Sequence, residues 1–139
     1  MTTSPKGRVL IIAGSDSGGG AGIQADIKTV TALGGYAMTA ITAITVQNTL
    51  GVTGVHEVPL DVVTGQIEAV VSDLGADTWK LGMLGSAAHV RAVMEAWYAV
   101  GDGAPVVLDP VMIAKGGASL LAEDAIEIIR NELMPIAAI

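Results

Sequence analysis

A glycine-rich segment, residues 14–22, is the part of the sequence whose composition suggests chemistry most directly. It follows an apolar run and precedes a helix-like pattern, and it contains Gly18, Gly19, Gly20 and Gly22. Glycine lets a backbone approach a ligand closely, and the N-terminus of a helix attracts anions. The segment therefore predicts a ligand-binding loop at the start of a helix. A flexible connection that lets a strand and a helix pack closely is the simpler alternative.

The spacing of the glycines argues against three familiar motifs. A P-loop has lysine and then serine or threonine after its second glycine, but Gly19 is followed by Gly20 and Ala21. The dinucleotide-binding fingerprint requires glycine where Ile23 stands. Residues 16–19 look like the nucleophile segment of trypsin-like proteases, but no histidine lies upstream and the chain has no cysteine. Other parts of the chain must therefore define the ligand.

Four further side chains could bind that ligand: Asp26, Gln47, Asp109 and Lys115. The Gln47 amide offers an acceptor and two donors, which can match the edge of an aminopyrimidine. Asp109 follows an apolar run, and such a carboxylate can bind Mg²⁺ or its water, while Lys115 between glycines could contact a phosphate. The plainer alternatives are a solvated acid near a helix N-terminus for Asp26, a satisfied strand-end amide for Gln47 and a surface lysine for Lys115.

Met83 and the two histidines are weaker candidates. Met83 lies at a predicted strand end beside glycine, where it could pack or line a site. Neither His56 nor His89 has an acidic or ligating partner at a useful spacing, so both are predicted to be surface residues.

Strand-like and helix-like patterns alternate along the chain and would position these residues. Alternation of this kind predicts a mostly parallel sheet with helices on both faces. The predicted strands are residues 8–13, 36–46, 52–58 (an exposed edge flap), 78–81 and 105–109. The predicted helices begin near Ala21, near Leu60, after Ser86 as N-cap and near Glu123, and Pro135 ends the last one.

Ligands of such folds bind at the carboxyl ends of the strands. That rule brings four separated segments to one edge of the sheet, namely residues 14–22, Gln47, residues 82–83 and residues 109–117. This convergence is the main functional inference that the residues themselves support.

Composition narrows the class of protein. The chain has 139 residues, a net charge of −7, no cysteine and only four aromatic residues. An acidic chain with few aromatics is unsuited to nucleic acid, and the lack of cysteine excludes disulfides, thiolate metal sites and cysteine catalysis. No apolar run is long enough to span a membrane and no signal peptide is recognisable, so we expect a cytoplasmic protein.

Four segments resemble those of the hydroxymethylpyrimidine/phosphomethylpyrimidine kinases, in the ribokinase-like superfamily. They are residues 13–26, 41–49, 80–84 and 109–117, and the resemblance runs in register from residue 9 to about residue 137. It implies a single, incomplete kinase domain over residues 1–139, with the three-layer α/β sandwich of that superfamily.

The resemblance also implies a reaction. It is the phosphorylation of 4-amino-5-hydroxymethyl-2-methylpyrimidine and then of its monophosphate, with ATP and Mg²⁺, in thiamine biosynthesis. By position, Asp109 and Lys115 match the segment that faces the nucleotide phosphates and the metal, with Asp109 as metal ligand. The positions that match the pyrimidine pocket of the family are Gly14, Ala21, Asp26, Gln47, Met83 and Val111.

Family members continue beyond the Leu-Met-Pro-Ile-Ala segment at residues 133–137 into the part that carries the anion hole and the catalytic base. The resemblance therefore implies that this chain carries the pyrimidine-binding half and no catalytic residue. Two alternatives stay open: a non-catalytic α/β domain that binds pyrimidine or phosphate, and a relative of the pyridoxal kinases. Exposed helix faces and the edge flap predict a homo-oligomer.

Overall fold

The computed structural model describes residues 4–113, 117 and 120–139. Its sheet has five strands in the order β3-β2-β1-β4-β5, and only β3 is antiparallel to its neighbour. The predicted α/β architecture is confirmed. In chain order the elements are β1 (Arg8–Asp16), α1 (Gly22–Ala32), β2 (Tyr36–Gln47), β3 (Val52–Glu57), α2 (Leu60–Leu74), β4 (Thr78–Leu81), α3 (Ala87–Val100), β5 (Val106–Leu108) and α4 (Glu123–Ile128).

The central strand β1 is buried on both faces, and its alternating side chains divide the core in two. Leu10 and Ile12 belong to the larger cluster, which contains the inner faces of α2, α3 and α4. Ile11 and Ala13 face the other way and pack with Ile23 of α1. The sheet is thus covered on both sides, as its apolar parallel strands require.

Several element boundaries differ from the predicted ones. β1 runs to Asp16, three residues beyond the predicted end, and its register with β2 shifts between Ala13 and Ser15. A bulge of this kind lets the strand continue into the glycine-rich segment. β5 is shorter than predicted. The last helix continues from α4 through a wider turn, Ile129–Leu133, and a 3₁₀ turn, Met134–Ile136, that contains Pro135.

The surface prediction for His89 is wrong. Its side chain is 4% exposed, Nε2 lies 2.8 Å from the Val58 carbonyl oxygen, and Nδ1 lies 2.7 Å from Ser86 Oγ. The Ser86 hydroxyl also accepts from the His89 backbone N–H, which confirms Ser86 as the N-cap of α3. Since both ring nitrogens find partners, the first turn of α3 can pack against the chain that leaves β3. His56 is exposed, as predicted.

An ion pair closes the opposite end of the sheet from the glycine-rich segment. The Asp77 carboxylate accepts from the Arg8 backbone N–H at 2.7 Å and from Arg8 Nη2 at 2.6 Å. These bonds lower the pKa of Asp77 to about 2, because they favour its ionised form. The guanidinium also donates to the Leu74 carbonyl at the end of α2.

Apolar side chains remain exposed on the flap formed by β3 and the end of β2. Ile44, Val46 and Leu50 are 52%, 63% and 87% exposed. Such a surface suits self-association, but the homo-oligomer stays a prediction. Among the described residues, no helix combines the length and the apolar character that crossing a bilayer would require.

Candidate active site

A cavity of about 290 Å³ opens at the carboxyl ends of the parallel strands β1, β2, β4 and β5. All six positions predicted from the family's pyrimidine pocket line it, and so does Asp109; Lys115 lies outside the described residues. The convergence inferred from the sequence is therefore observed for the described residues. The complete lining consists of Ala13, Gly14, Ser15, Asp16, Ala21, Gly22, Ala25, Asp26, Thr45, Gln47, Lys80, Gly82, Met83, Asp109, Val111, Ile113 and Leu120.

The glycine-rich segment folds around the carboxylate of Asp16, a residue that the sequence analysis did not single out. Asp16 is 6% exposed, and its Oδ1 accepts from the Gly18 N–H at 2.7 Å. Its Oδ2 accepts from the N–H groups of Gly20 and Ala21, at 3.0 and 2.8 Å. Three N–H groups that seemed available to an anionic ligand are thus bonded to the protein's own carboxylate. The segment shapes the wall of the cavity, and these three groups do not form a phosphate cradle.

Two glycines make the close approach of this segment possible. Gly22 has φ +55°, and a Cβ there would lie 2.3 Å from the Gly14 carbonyl oxygen. A Cβ on Gly14 would lie 3.0 Å from the sulfur of Met83. A side chain at Gly22 would collide with the backbone, and one at Gly14 would press on the Met83 wall.

Gln24 supports the same segment and was also missed. Its Oε1 accepts from the Asp16 backbone N–H at 2.8 Å, and its Nε2 donates to Ser15 Oγ at 2.7 Å. A glutamine in the first turn of a helix that bonds back to the preceding backbone resembles one half of a capping box. That position was the available signal in the sequence.

Gln47 lies at the end of β2, as predicted, with its amide at the cavity. Thr45 Oγ1 lies 3.0 Å from both Gln47 Oε1 and the Ser15 carbonyl oxygen. The Thr45 hydroxyl has one proton, so it can donate either to Gln47 Oε1 or to the Ser15 carbonyl. When it donates to Ser15, its oxygen can accept from the Gln47 amide NH₂ in the flipped orientation. The Gln47 amide can therefore present either its NH₂ or its oxygen to a ligand. Its backbone is fixed by Ser17 Oγ, which donates to the Gln47 carbonyl at 2.6 Å and accepts from the Gln47 N–H at 2.8 Å.

Lys80 is the third residue that the sequence analysis missed. Its Nζ donates to Asp26 Oδ2 at 2.8 Å and lies 3.9 Å from Asp109 Oδ2. The side chains of Lys80 and Asp26 are each 21% exposed, so Asp26 is a paired, largely buried carboxylate and not the solvated acid of the plainer alternative. A lysine between Trp79 and Leu81, both buried, was the signal, because a charge in such surroundings requires a partner.

The Asp109 side chain is more exposed than those of Asp16 and Asp26, the other described acids that line the cavity. Its side chain is 60% exposed, and its backbone N–H donates to the Leu81 carbonyl at 2.9 Å, which fixes it at the rim. Within the described part of the chain, no group of three or more histidine, cysteine or acidic residues could bind a metal by itself. Asp109 can supply one oxygen ligand to a hydrated cation, and other ligands would have to come from water or substrate.

Comparison with known proteins agrees with this geometry. The family profile described as phosphomethylpyrimidine kinase matches residues 16–139. A hydroxymethylpyrimidine/phosphomethylpyrimidine kinase of Mycobacterium leprae is 52% identical over 132 residues, which are 95% of this chain and 47% of the relative. This chain spans about half the length of the curated kinases of that name that it matches.

Solved structures give the same result for the fold. The crystal structure of phosphomethylpyrimidine kinase from Clostridium difficile 630 has a TM-score of 0.86 and 45% identity, over 95% of this chain and 57% of that chain. The Staphylococcus aureus pyridoxal kinase in complex with pyridoxal has a TM-score of 0.83 and 36% identity, over 97% of this chain and 49% of that chain. The predicted ribokinase-like fold is confirmed, and the chain belongs to the phosphomethylpyrimidine kinase family.

Proposed function

We propose that this chain carries the pyrimidine-binding half of a kinase for 4-amino-5-hydroxymethyl-2-methylpyrimidine and its monophosphate, in thiamine biosynthesis. The observation that carries the proposal is the convergence of Gly14, Ala21, Asp26, Gln47, Met83 and Val111 on one cavity. These positions lie far apart in the sequence, and the family resemblance selected them without reference to the cavity. At about 290 Å³, the cavity lies just below the roughly 300–1,000 Å³ usual for ligand pockets, which suits a single substituted ring.

Recognition of the ring rests on two polar side chains between apolar walls. Asp26 uses Oδ2 for Lys80, and among the described residues Oδ1 has no hydrogen-bond donor, so it can accept from an exocyclic amino group. The Gln47 amide complements a ring nitrogen or the amino group with whichever end it presents. Met83 lies against Gly14 and supplies an apolar wall for the ring. Together these groups orient the hydroxymethyl group and exclude water from the ring.

ATP and Mg²⁺ complete the proposal. The exposed carboxylate of Asp109 fits Mg²⁺, which commonly binds one or two carboxylates together with substrate phosphates and water. When bound, the metal ion neutralises charge on the phosphates during phosphoryl transfer. The role of Lys115 toward a phosphate stays a prediction from the resemblance. No described residue is assigned as the base, and proton removal from the hydroxymethyl group is not attributed to this chain.

Pyridoxal is the second candidate substrate. It is supported by the 36% identity with a pyridoxal kinase whose structure contains pyridoxal. Pyridoxal carries a phenolic hydroxyl and an aldehyde but no exocyclic amino group, so it would offer Asp26 Oδ1 a hydroxyl donor in place of an amino N–H. The higher identity, 52%, with a hydroxymethylpyrimidine/phosphomethylpyrimidine kinase favours the aminopyrimidine.

Calorimetric titration of the chain with each compound tests the proposal. We expect the aminopyrimidine to bind more tightly than pyridoxal. The reverse order would favour the pyridoxal kinases, and binding of neither compound would contradict the proposal. Adding ATP and Mg²⁺ and following the phosphorylated product then separates an active enzyme from a domain that only binds.

A further inference from the structure

One cation and two carboxylates face the cavity among its described lining residues. The cation is Lys80, and the carboxylates are Asp26 and Asp109. Asp16 also lines the cavity, but its carboxylate accepts three backbone N–H bonds within the loop. The net charge that faces the pocket is therefore −1 with the Lys80 ammonium group and −2 without it.

The position of Lys80 is well defined by its surroundings. It extends from β4 toward α1, and its Nζ would lie 3.1 Å from a Cβ at position 82, so Gly82 leaves the space that the ammonium group occupies. Its contact with Asp26 at 2.8 Å links the sheet to the helix at the cavity wall. Asp109 at 3.9 Å is the second acid within reach.

We propose that Lys80 is a specificity-determining residue that makes the pocket select an uncharged ring over a cationic one. Lys80 occupies Asp26 Oδ2 and offsets one of the two negative charges, while Oδ1 stays available as an acceptor. Without the ammonium group, two negative charges would face the cavity, and a pyrimidinium or another organic cation would gain a strong attraction. The choice of the aminopyrimidine as probe rests on the proposed function, whereas the charge balance does not.

The test compares two ligands of nearly equal shape: 4-amino-5-hydroxymethyl-2-methylpyrimidine and its cation methylated on a ring nitrogen. Calorimetry at neutral pH gives the association constant of each for the wild-type chain and for Lys80→Met. We expect the ratio of cation to neutral ligand to rise at least about tenfold in Lys80→Met, even with the screening of a pocket open to water. The added methyl group is the same for every variant, so the change in ratio between variants isolates the effect of charge.

Three further variants separate charge from a general structural effect. Lys80→Arg keeps the charge, and we expect it to retain the wild-type ratio. The double variant Lys80→Met/Asp26→Asn removes both members of the pair, and its ratio should return to within about threefold of wild type. Lys6→Met changes the net charge by the same amount at an exposed position outside the cavity, and its ratio should not change.

Failure of this inference and failure of the proposed function have different signatures. If wild type does not bind the neutral ligand, the proposed function is wrong, but a gain of cation binding in Lys80→Met would still support the role of Lys80. If Lys80→Met binds the cation no better than wild type does, the role of Lys80 is overturned. If Lys80→Met is unfolded by circular dichroism, Lys80→Gln replaces it under the same two criteria.

Discussion

The carboxylate of Asp16 is the feature of the glycine-rich segment whose removal should have the clearest effect on stability. Asp16→Ala removes the acceptor of three N–H groups, on Gly18, Gly20 and Ala21. Hydrogen bonds to a charged group contribute about 1.5–3 kcal/mol each, but these three donors are exposed enough for water to replace the carboxylate. We therefore expect the free energy of unfolding to fall by about 2–4 kcal/mol in total, less than the sum of three independent bonds.

Urea unfolding followed by circular dichroism measures this loss. The matched control is Asp73→Ala, because Asp73 is exposed at the end of α2 and its side chain makes no hydrogen bond or ion pair with described residues. Its change should stay within about 0.5 kcal/mol of wild type. Asp16→Asn keeps the volume and one acceptor oxygen, and it should lose about half of what Asp16→Ala loses. If Asp16→Ala loses no more stability than Asp73→Ala, the carboxylate does not organise the segment.

Three other predictions concern different parts of the structure. Gly22→Ala should lower the free energy of unfolding by about 3 kcal/mol or more, because it combines a positive φ with a backbone collision. The control Gly65→Ala, in α2, should raise the free energy of unfolding by about 0.5–1 kcal/mol. Equal effects of the two variants in urea unfolding would disprove the collision. Asp77 has a pKa of about 2 in the fold, below its ordinary 3.8, so its bond to Arg8 stabilises the fold above about pH 4 and is lost as the pH falls toward about 2. Asp77→Asn should flatten the melting temperature against pH over that interval, and an unchanged profile would contradict the assignment. Gln47→Ala should weaken binding of the aminopyrimidine by about 1–3 kcal/mol in calorimetry; unchanged affinity would remove Gln47 from the recognition scheme.

The sheet and its ligand-binding edge could be predicted because they follow from periodicity and topology. Strands buried on both faces alternate with amphipathic helices, and parallel strands carry their carboxyl ends to one edge. Those rules place Gln47 and Asp109 at the rim without any knowledge of side-chain contacts. The same rules place Met83 at that edge, whereas the assignment of Asp26 to the pocket depended on the family resemblance.

The roles of Asp16, Lys80 and His89 could not be predicted for a physical reason. Each role depends on a partner distant in the sequence or on a detail of loop geometry. Lys80 bonds to Asp26 across 54 positions, and His89 bonds to Val58 across 31. Sequence spacing does not reveal such pairs, although a lysine between two apolar strand residues indicates that a partner must exist. The role of Asp16 required the course of a glycine-rich backbone, which local propensity leaves undetermined.

The most direct test of the central claim is titration of the ¹⁵N-labelled chain with 4-amino-5-hydroxymethyl-2-methylpyrimidine, followed by the backbone amide resonances. If the four strand ends form a pyrimidine pocket, saturable shift changes should centre on Gly14, Asp26, Gln47 and Met83 and share one dissociation constant. Resonances near Asp77, at the opposite end of the sheet, should stay unchanged. Shifts that do not saturate, or that centre on the α4 surface away from the cavity, would contradict the account.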